Sequence, residues 1–395
     1  MMLLLFLAFL GGVHASQRTV MFIGDGISDV TIQRISKEVS KGYSSVHHRV
    51  TPYVPYGEEV PESASSASAM FTGCNLDPLA VSYSKSTGAG VRGMLEFSRE
   101  RGRKIGVVTT SCVLDATVAS FLTHGEIRYD YKALGKHLNT DVVDVYMGGS
   151  TNLVDWGQPS NYCHMTTKKD LMEARYCDKY RLIGEFADKN NIFSNIGCSF
   201  MPSSPNKTHE FPSLKDMVRE ALLHLERVSG PEGFLLVVSS DQIDHAYHAS
   251  DSYAADRELS ELTDAIDFTL SDHFIPSSRT SWRVVFTSDH ETEIFSGKHG
   301  NGDVGITVWT SDQFSSAIAK SHRIRQKEVG SFVINGFHAT DCPEPLAGYA
   351  SDDDSVISYQ VTVILIGLAI LCTGGGFLLF RCMRKNALIR NLRQQ

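Results

Sequence analysis

Asp244 and His248 stand four residues apart in DQIDHAYH, a spacing that puts both side chains on one face of a helical turn. Asp289 and His290 are adjacent in FTSDHE, and His299 lies between glycines in GKHGNGDVG, where the backbone can bend to present a ring. Asp25 follows the apolar run TVMFIG, as Asp241 and Asp244 follow GFLLVVSS and Asp289 follows RVVFTS. Imidazole and carboxylate without thiolate suit a hydrolytic zinc site. A lone Asp after a strand is usually a turn residue or a helix cap. Three such ends in one chain, two of them pairing Asp with His, favour ligands over caps.

A nucleophile for such a site is offered by VPESASSASAMFTG, residues 60–73. By composition this is a linker. It also reads as a serine, Ser63, opening a helix whose small residues Ala64, Ser65 and Ala67 allow close packing. In that position the helix N-terminus would favour an anion. A serine hydroxyl near neutral pH needs activation by a base or a metal. No His neighbours Ser63 in sequence, so a metal is the expected activator.

Elements that position these residues can be read from periodicity. TVMFIG from Thr19, KIGVVTT from Lys104, VVDVYMGG from Val142, GFLLVVSS from Gly233 and RVVFTSD from Arg283 look like buried parallel strands. Between them SLKDMVREALLHLERV, with Ser213 as N-cap, and SYAADRELSELTDAIDFTL are amphipathic helices. The alternation predicts an α/β fold, a doubly wound and mostly parallel sheet between helices. Ligands in such sheets bind beyond the carboxyl ends of the strands, where the Asp and His residues fall.

The 395 residues are 42% hydrophobic and 21% charged, ordinary globular composition. A net charge of −8 argues against a nucleic-acid partner. Residues 1–15 read as a signal peptide ending in Val13-His14-Ala15. An acidic linker, 346–355, precedes an uncharged run at 356–380, long enough for a transmembrane helix. The basic tail 381–395 then predicts a single-pass type I protein of the cell membrane, its main domain extracellular or lumenal. Of eight cysteines six precede that span, and Cys163 with Cys177 is the expected disulfide because it closes a short loop. Asn206 in NKT is a glycosylation acceptor.

Over about residues 18–340 the chain resembles the alkaline phosphatases. The resemblance rests on MFIGDGISD, PESASSASA, VVTTSCVLDATVASFLTH, PSLKDM…GFLLVVSSDQIDHAYH, FTSDHE and KHGNGDVGITVW, in the family's order. It implies an alkaline-phosphatase-like catalytic domain over 16–345, acting on small phosphate monoesters. Ser63 matches the nucleophile and Arg128, thirteen residues after Asp115, the phosphate-binding arginine. Asp244, His248 and His299 match the ligands of a first zinc. Asp25, Asp289 and His290, with Ser63, match those of a second. Asp115 and Thr117 match residues around a magnesium site. Two ions about 4 Å apart suit in-line displacement at phosphorus.

Several positions depart from the family's pattern. Glu62 replaces an Asp that helps to position the arginine. Ser239 stands where the family has its magnesium-binding Glu, which weakens magnesium; Asp241 is a nearby substitute. Only nine positions separate His290 from His299, so the insertion that builds part of the family's homodimer contact is absent. His245 matches a position near the phosphate. His47, His48, His124 and His164 read as structural. The rival readings are a two-zinc phosphodiesterase or nucleotide pyrophosphatase, opposed by Arg128, and an inactive ectodomain used for binding, opposed by the full ligand set.

Overall fold

The apolar runs become strands whose side chains point alternately to two faces. On the first strand Val20 and Phe22 enter one core and Met21 and Ile23 the other. Both faces are covered, so these strands read as continuous hydrophobic runs. The computed structural model describes residues 16–40, 42–138, 140–149, 153–186, 211–273, 280–310, 322–338 and 345–350. Residues 1–349 form one compact unit and 350–395 a second, of which only Ala350 is described.

In chain order the strands are β1 (Ser16–Gly24), β2 (Ser45–Thr51), β3 (Tyr83–Ser84), β4 (Ala89–Val91), β5 (Lys104–Cys112), β6 (Val145–Gly149), β7 (Tyr162–Met165) and β8 (Arg181–Glu185). Then follow β9 (Gly233–Ser240), β10 (Thr280–Thr287), β11 (Glu291–Glu293), β12 (Lys298–Gly300), β13 (Val304–Thr310), β14 (Arg323–Arg325) and β15 (Pro345–Ala350). The main sheet runs β14-β2-β13-β10-β1-β9-β5-β6-β8-β7. The stretch from β10 to β7 is parallel throughout. Antiparallel β13 joins it to β2. The doubly wound, mostly parallel sheet expected from the alternation is present. β2, β7, β8, β13 and β14, which carry weaker apolar signals, complete it.

Helices Leu214–Val228 and Ser252–Phe268 cover one face through Met217, Val218, Leu225, Leu262 and Ile266. Ser213 caps the first of them by accepting from the Asp216 amide, as its position in the sequence predicts. Helices Ser63–Thr72 and Ala116–Leu122 lie on the other face. All ten residues of the Ser63 helix are buried. Its small side chains serve a helix–helix contact: the Ser120 hydroxyl donates to the Ala64 carbonyl at 3.3 Å and lies 3.2 Å from Ser68 Oγ. The stretch is a core element, not a linker.

Cys163 and Cys177 form the expected disulfide, and Cys74 and Cys112 are also disulfide-bonded. The expectation of a single-pass membrane protein is corrected. Among the described residues no helix is long and apolar enough to cross a membrane. The longest α-helix there, Ser252–Phe268, has 17 residues and buries only one stripe, whereas a span needs about 20 apolar residues. Residues 1–15, Asn206 and 351–395, on which the leader, glycan and anchor expectations rested, lie outside the described residues.

Candidate metal and phosphate site

Four adjacent parallel strands, β10-β1-β9-β5, end at the same edge of the sheet. The register places Ile23 beside Thr287 and Gly24 beside Ser240. The residues that follow are therefore neighbours: Asp25 after β1, Asp289 and His290 after β10, Asp241 and Asp244 after β9. Gly26 turns the chain beyond Asp25 with φ of 75°, and a Cβ there would lie 2.7 Å from Asp244 Oδ1. Only glycine fits both the conformation and the approach.

Two overlapping groups of ligand atoms result: Asp25, Asp289 and His290 in one, and Asp244, His290 and His299 in the other. His290 belongs to both, whereas the sequence assigns it to one. Its Nε2 lies 3.5 Å from Asp25 Oδ1, 3.4 Å from Asp289 Oδ2 and 3.0 Å from Ser63 Oγ. His248 joins the second group through Asp244 Oδ2 at 3.1 Å and His299 Nε2 at 3.2 Å. The Nδ1 atoms of His248 and His299 are held at 2.8 Å by the carbonyls of Gly297 and Pro61. Such bonds fix ring orientation and leave Nε2 for a metal. β11 and β12 form the hairpin that brings His299 back, with Thr292 opposite it. Thr292 donates to Asp244 Oδ1 at 2.5 Å. No local pattern marks Thr292, Pro61 or Gly297, because their roles arise from contacts across the fold.

Around this centre Glu62 caps the Ser63 helix, accepting from the amides of Ala64 and Ser65. Those N–H groups, expected to face an anion, are thus occupied by a carboxylate. Glu62 also holds Arg128 Nη1 at 2.9 Å, and Arg128 Nη2 is 3.8 Å from Asp115 Oδ1. The longer side chain therefore reaches helix and arginine together. Asp115 caps the Ala116–Leu122 helix and approaches His245 Nε2 at 3.4 Å. Surrounding protein lowers the His245 pKa, but Asp115 outweighs this and raises it to about 9. Thr117 donates to Asp25 Oδ2 at 2.8 Å and Asp289 Oδ2 at 3.3 Å, not to Asp115. Ser239 and Thr109 donate to the two oxygens of Asp241 at 2.6 and 2.5 Å.

Asp25, Asp289 and His290 are buried. Asp25 Oδ1 and Asp289 Oδ1 have no hydrogen-bond partner among the described residues. Burial, then the charges of Asp289 and Asp244, pushes the Asp25 carboxyl well above the carboxylate range, and burial raises Asp289 as well. Burial also opposes ionisation of Asp244, but the hydrogen bond from His248 overcomes it and lowers the pKa. Burial, then His290, lowers His299 to about 4, so its ring is neutral and free to ligate. Buried carboxylates with unpartnered oxygens beside imidazole fit a divalent cation of zinc's kind. The four histidines read above as structural have partners elsewhere: His47 with Asp29, His124 with the Ser82 carbonyl, His164 with Glu185, and His48 against Phe332.

The alkaline phosphatase family model matches residues 16–150 and 146–360. The chain belongs to the alkaline phosphatase family. It is 29% identical over 283 residues to alkaline phosphatase 3 of Bacillus subtilis, covering 66% of this chain and 54% of that one. It is 29% identical over 264 residues to the repressible alkaline phosphatase of Saccharomyces cerevisiae, covering 60% and 46%. The chain thus spans about half the length of these relatives. The solved alkaline phosphatase of the Antarctic bacterium TAB5 superposes with a TM-score of 0.61 at 18% identity, covering 81% of this chain and 98% of that one. At that identity the likeness concerns the fold.

Proposed function

We propose that the chain hydrolyses phosphate monoesters through a phosphoserine on Ser63, with two zinc ions held by Asp244, His248 and His299 and by Asp25, Asp289 and His290. The observation that carries this reading is Ser63 Oγ, 3.0 Å from His290 Nε2 where the two Asp/His groups overlap. When bound, the metals supply a lowered hydroxyl pKa for Ser63 and stabilisation of the leaving oxygen. Ser63 Oγ attacks phosphorus as the ester P–O bond breaks, and the departing alkoxide takes a proton from solvent. Water then cleaves the phosphoserine, releasing phosphate and restoring the hydroxyl.

Arg128, steadied by Glu62, offers its planar fork to non-bridging oxygens. A monoester carries the extra charge that such a partner rewards. His245, cationic near neutral pH, stands on the same side through Asp115. Magnesium fits less well: Ser239 supplies no carboxylate, and hydrogen bonds engage both oxygens of Asp241. The reaction is assigned to two metals. To test it, labelled monoester is mixed with zinc-loaded protein and the reaction quenched in acid. Label should map to Ser63 and disappear in Ser63→Ala, whose turnover falls by several orders of magnitude. Label on Ser65 or Ser66, or no covalent label, overturns the reading.

A further inference from the structure

The proposed attack has a direction. Ser63 Oγ lies 3.0 Å from His290 Nε2, which also neighbours the buried Asp25 and Asp289. In an in-line displacement the leaving oxygen stands opposite the attacking one. With Ser63 attacking from the Asp25, Asp289 and His290 group, as proposed above, it departs on the side of His248 and His299. The His248 side chain is 41% exposed, so this is the open side of the site.

Two exposed aromatic residues belong to the segments next to His248. The β11–β12 turn is pinned at Gly297, whose amide donates to the Glu293 carbonyl and whose carbonyl accepts from His248 Nδ1, both at 2.8 Å. Two residues before Gly297 is Phe295, 98% exposed. Its neighbour Ile294 packs on Ala246, Ala254 and Ala255, which fastens the turn to the helices that follow β9. Tyr253, preceding Ala254, is 69% exposed, with the Arg257 guanidinium 4.7 Å from its ring centroid. Single exposed apolar residues are ordinary. Two aromatic residues on segments fastened together next to His248 have a use. Tyr129 is also exposed, but it adjoins Arg128, 5.5 Å from its guanidinium, on the phosphate side.

We propose that Phe295, together with Tyr253 on the neighbouring helix, forms a stacking platform for the leaving group and selects phosphate monoesters whose alcohol carries a planar aromatic body. This rests on the phosphomonoesterase reading. An aromatic pair contributes about two- to tenfold in affinity beyond its burial.

The test compares 2-phenylethyl phosphate with ethyl phosphate, both esters of primary alcohols with comparable leaving oxygens. Zinc-loaded wild type should favour the phenylethyl ester in kcat/KM by about tenfold, mainly through KM. Phe295→Ala should bring the ratio near one, Phe295→Trp should keep it, and Tyr253→Ala should reduce it in part. A wild-type ratio near one, or a ratio unchanged in Phe295→Ala, overturns the platform while leaving the phosphatase reading intact. Failure to hydrolyse either ester overturns both.

Discussion

At the scale of single residues, Glu62 and Ser239 set this chain apart from the pattern it otherwise follows. Glu62 spans two tasks, accepting from the Ala64 and Ser65 amides while holding Arg128. Glu62→Ala should cost about 1 kcal/mol in stability as a lost cap. Misplacing Arg128 should also lower kcat/KM for a monoester about 100-fold. Glu62→Asp should keep most of both. Denaturation and steady-state kinetics on the same preparations separate the roles, because a variant less stable but equally active would make Glu62 a cap only. Ser239 is the second case, its hydroxyl spent on Asp241. With no carboxylate of its own it adds no charge for a hard cation. Ser239→Glu should raise magnesium affinity and make activity respond to magnesium after chelation and zinc reload. Strong, saturable activation already present in the wild type, and not improved by the substitution, would instead give the ligand role to Asp241.

At the scale of elements, the turn after β1 and the β11–β12 hairpin decide where the ligands meet. Gly26 holds φ of 75° with its Cα against Asp244. Gly26→Ala adds both left-handed strain and a clash, each costing about 1–3 kcal/mol. The expected result is a lower Tm and weakened zinc retention, because the clash falls on a ligand. Thermal unfolding with elemental analysis checks this. Full zinc content at unchanged Tm would show that the turn has room to relax. The hairpin adds His299 and, through Gly297, the orientation of His248. Its shortness follows from the nine positions between His290 and His299.

At the scale of the whole molecule, a sheet edge that gathers this many carboxylates has a stability cost without metal. Burial, then Asp115, raises Asp241 to about 7, and Asp115 raises His245 to about 9. Each binds its proton more tightly folded than unfolded, so each favours folding less as pH rises through its folded pKa. His299 and His224, lowered by burial, act in the opposite sense, but only below their ordinary value near 6.5. Between about pH 6.5 and 9 the metal-free protein should therefore lose stability as pH rises. Zinc should raise its Tm by binding the folded state alone. Thermal scans of chelated and zinc-reloaded protein across that range test both statements. A chelated protein whose Tm is flat or climbs would contradict the enclosure of these groups.

Five core strands, the capped helix at Ser213, the Asp and His candidates and the serine were legible because each depends on neighbours along the chain. Apolar runs fix strands, and a four-residue spacing fixes a shared helix face. A serine among small residues could have been linker or helix start, and only the packing against Ala116–Leu122 removed the linker. That His290 serves both ligand groups, that Thr292 steadies Asp244, and that Glu62 consumes the amides of the Ser63 helix were not legible. Those facts depend on contacts between separate elements of the chain, or on where one extra methylene lets a carboxylate reach. Sequence specified which chemistry was present. The register of four parallel strands decided which atoms of it meet.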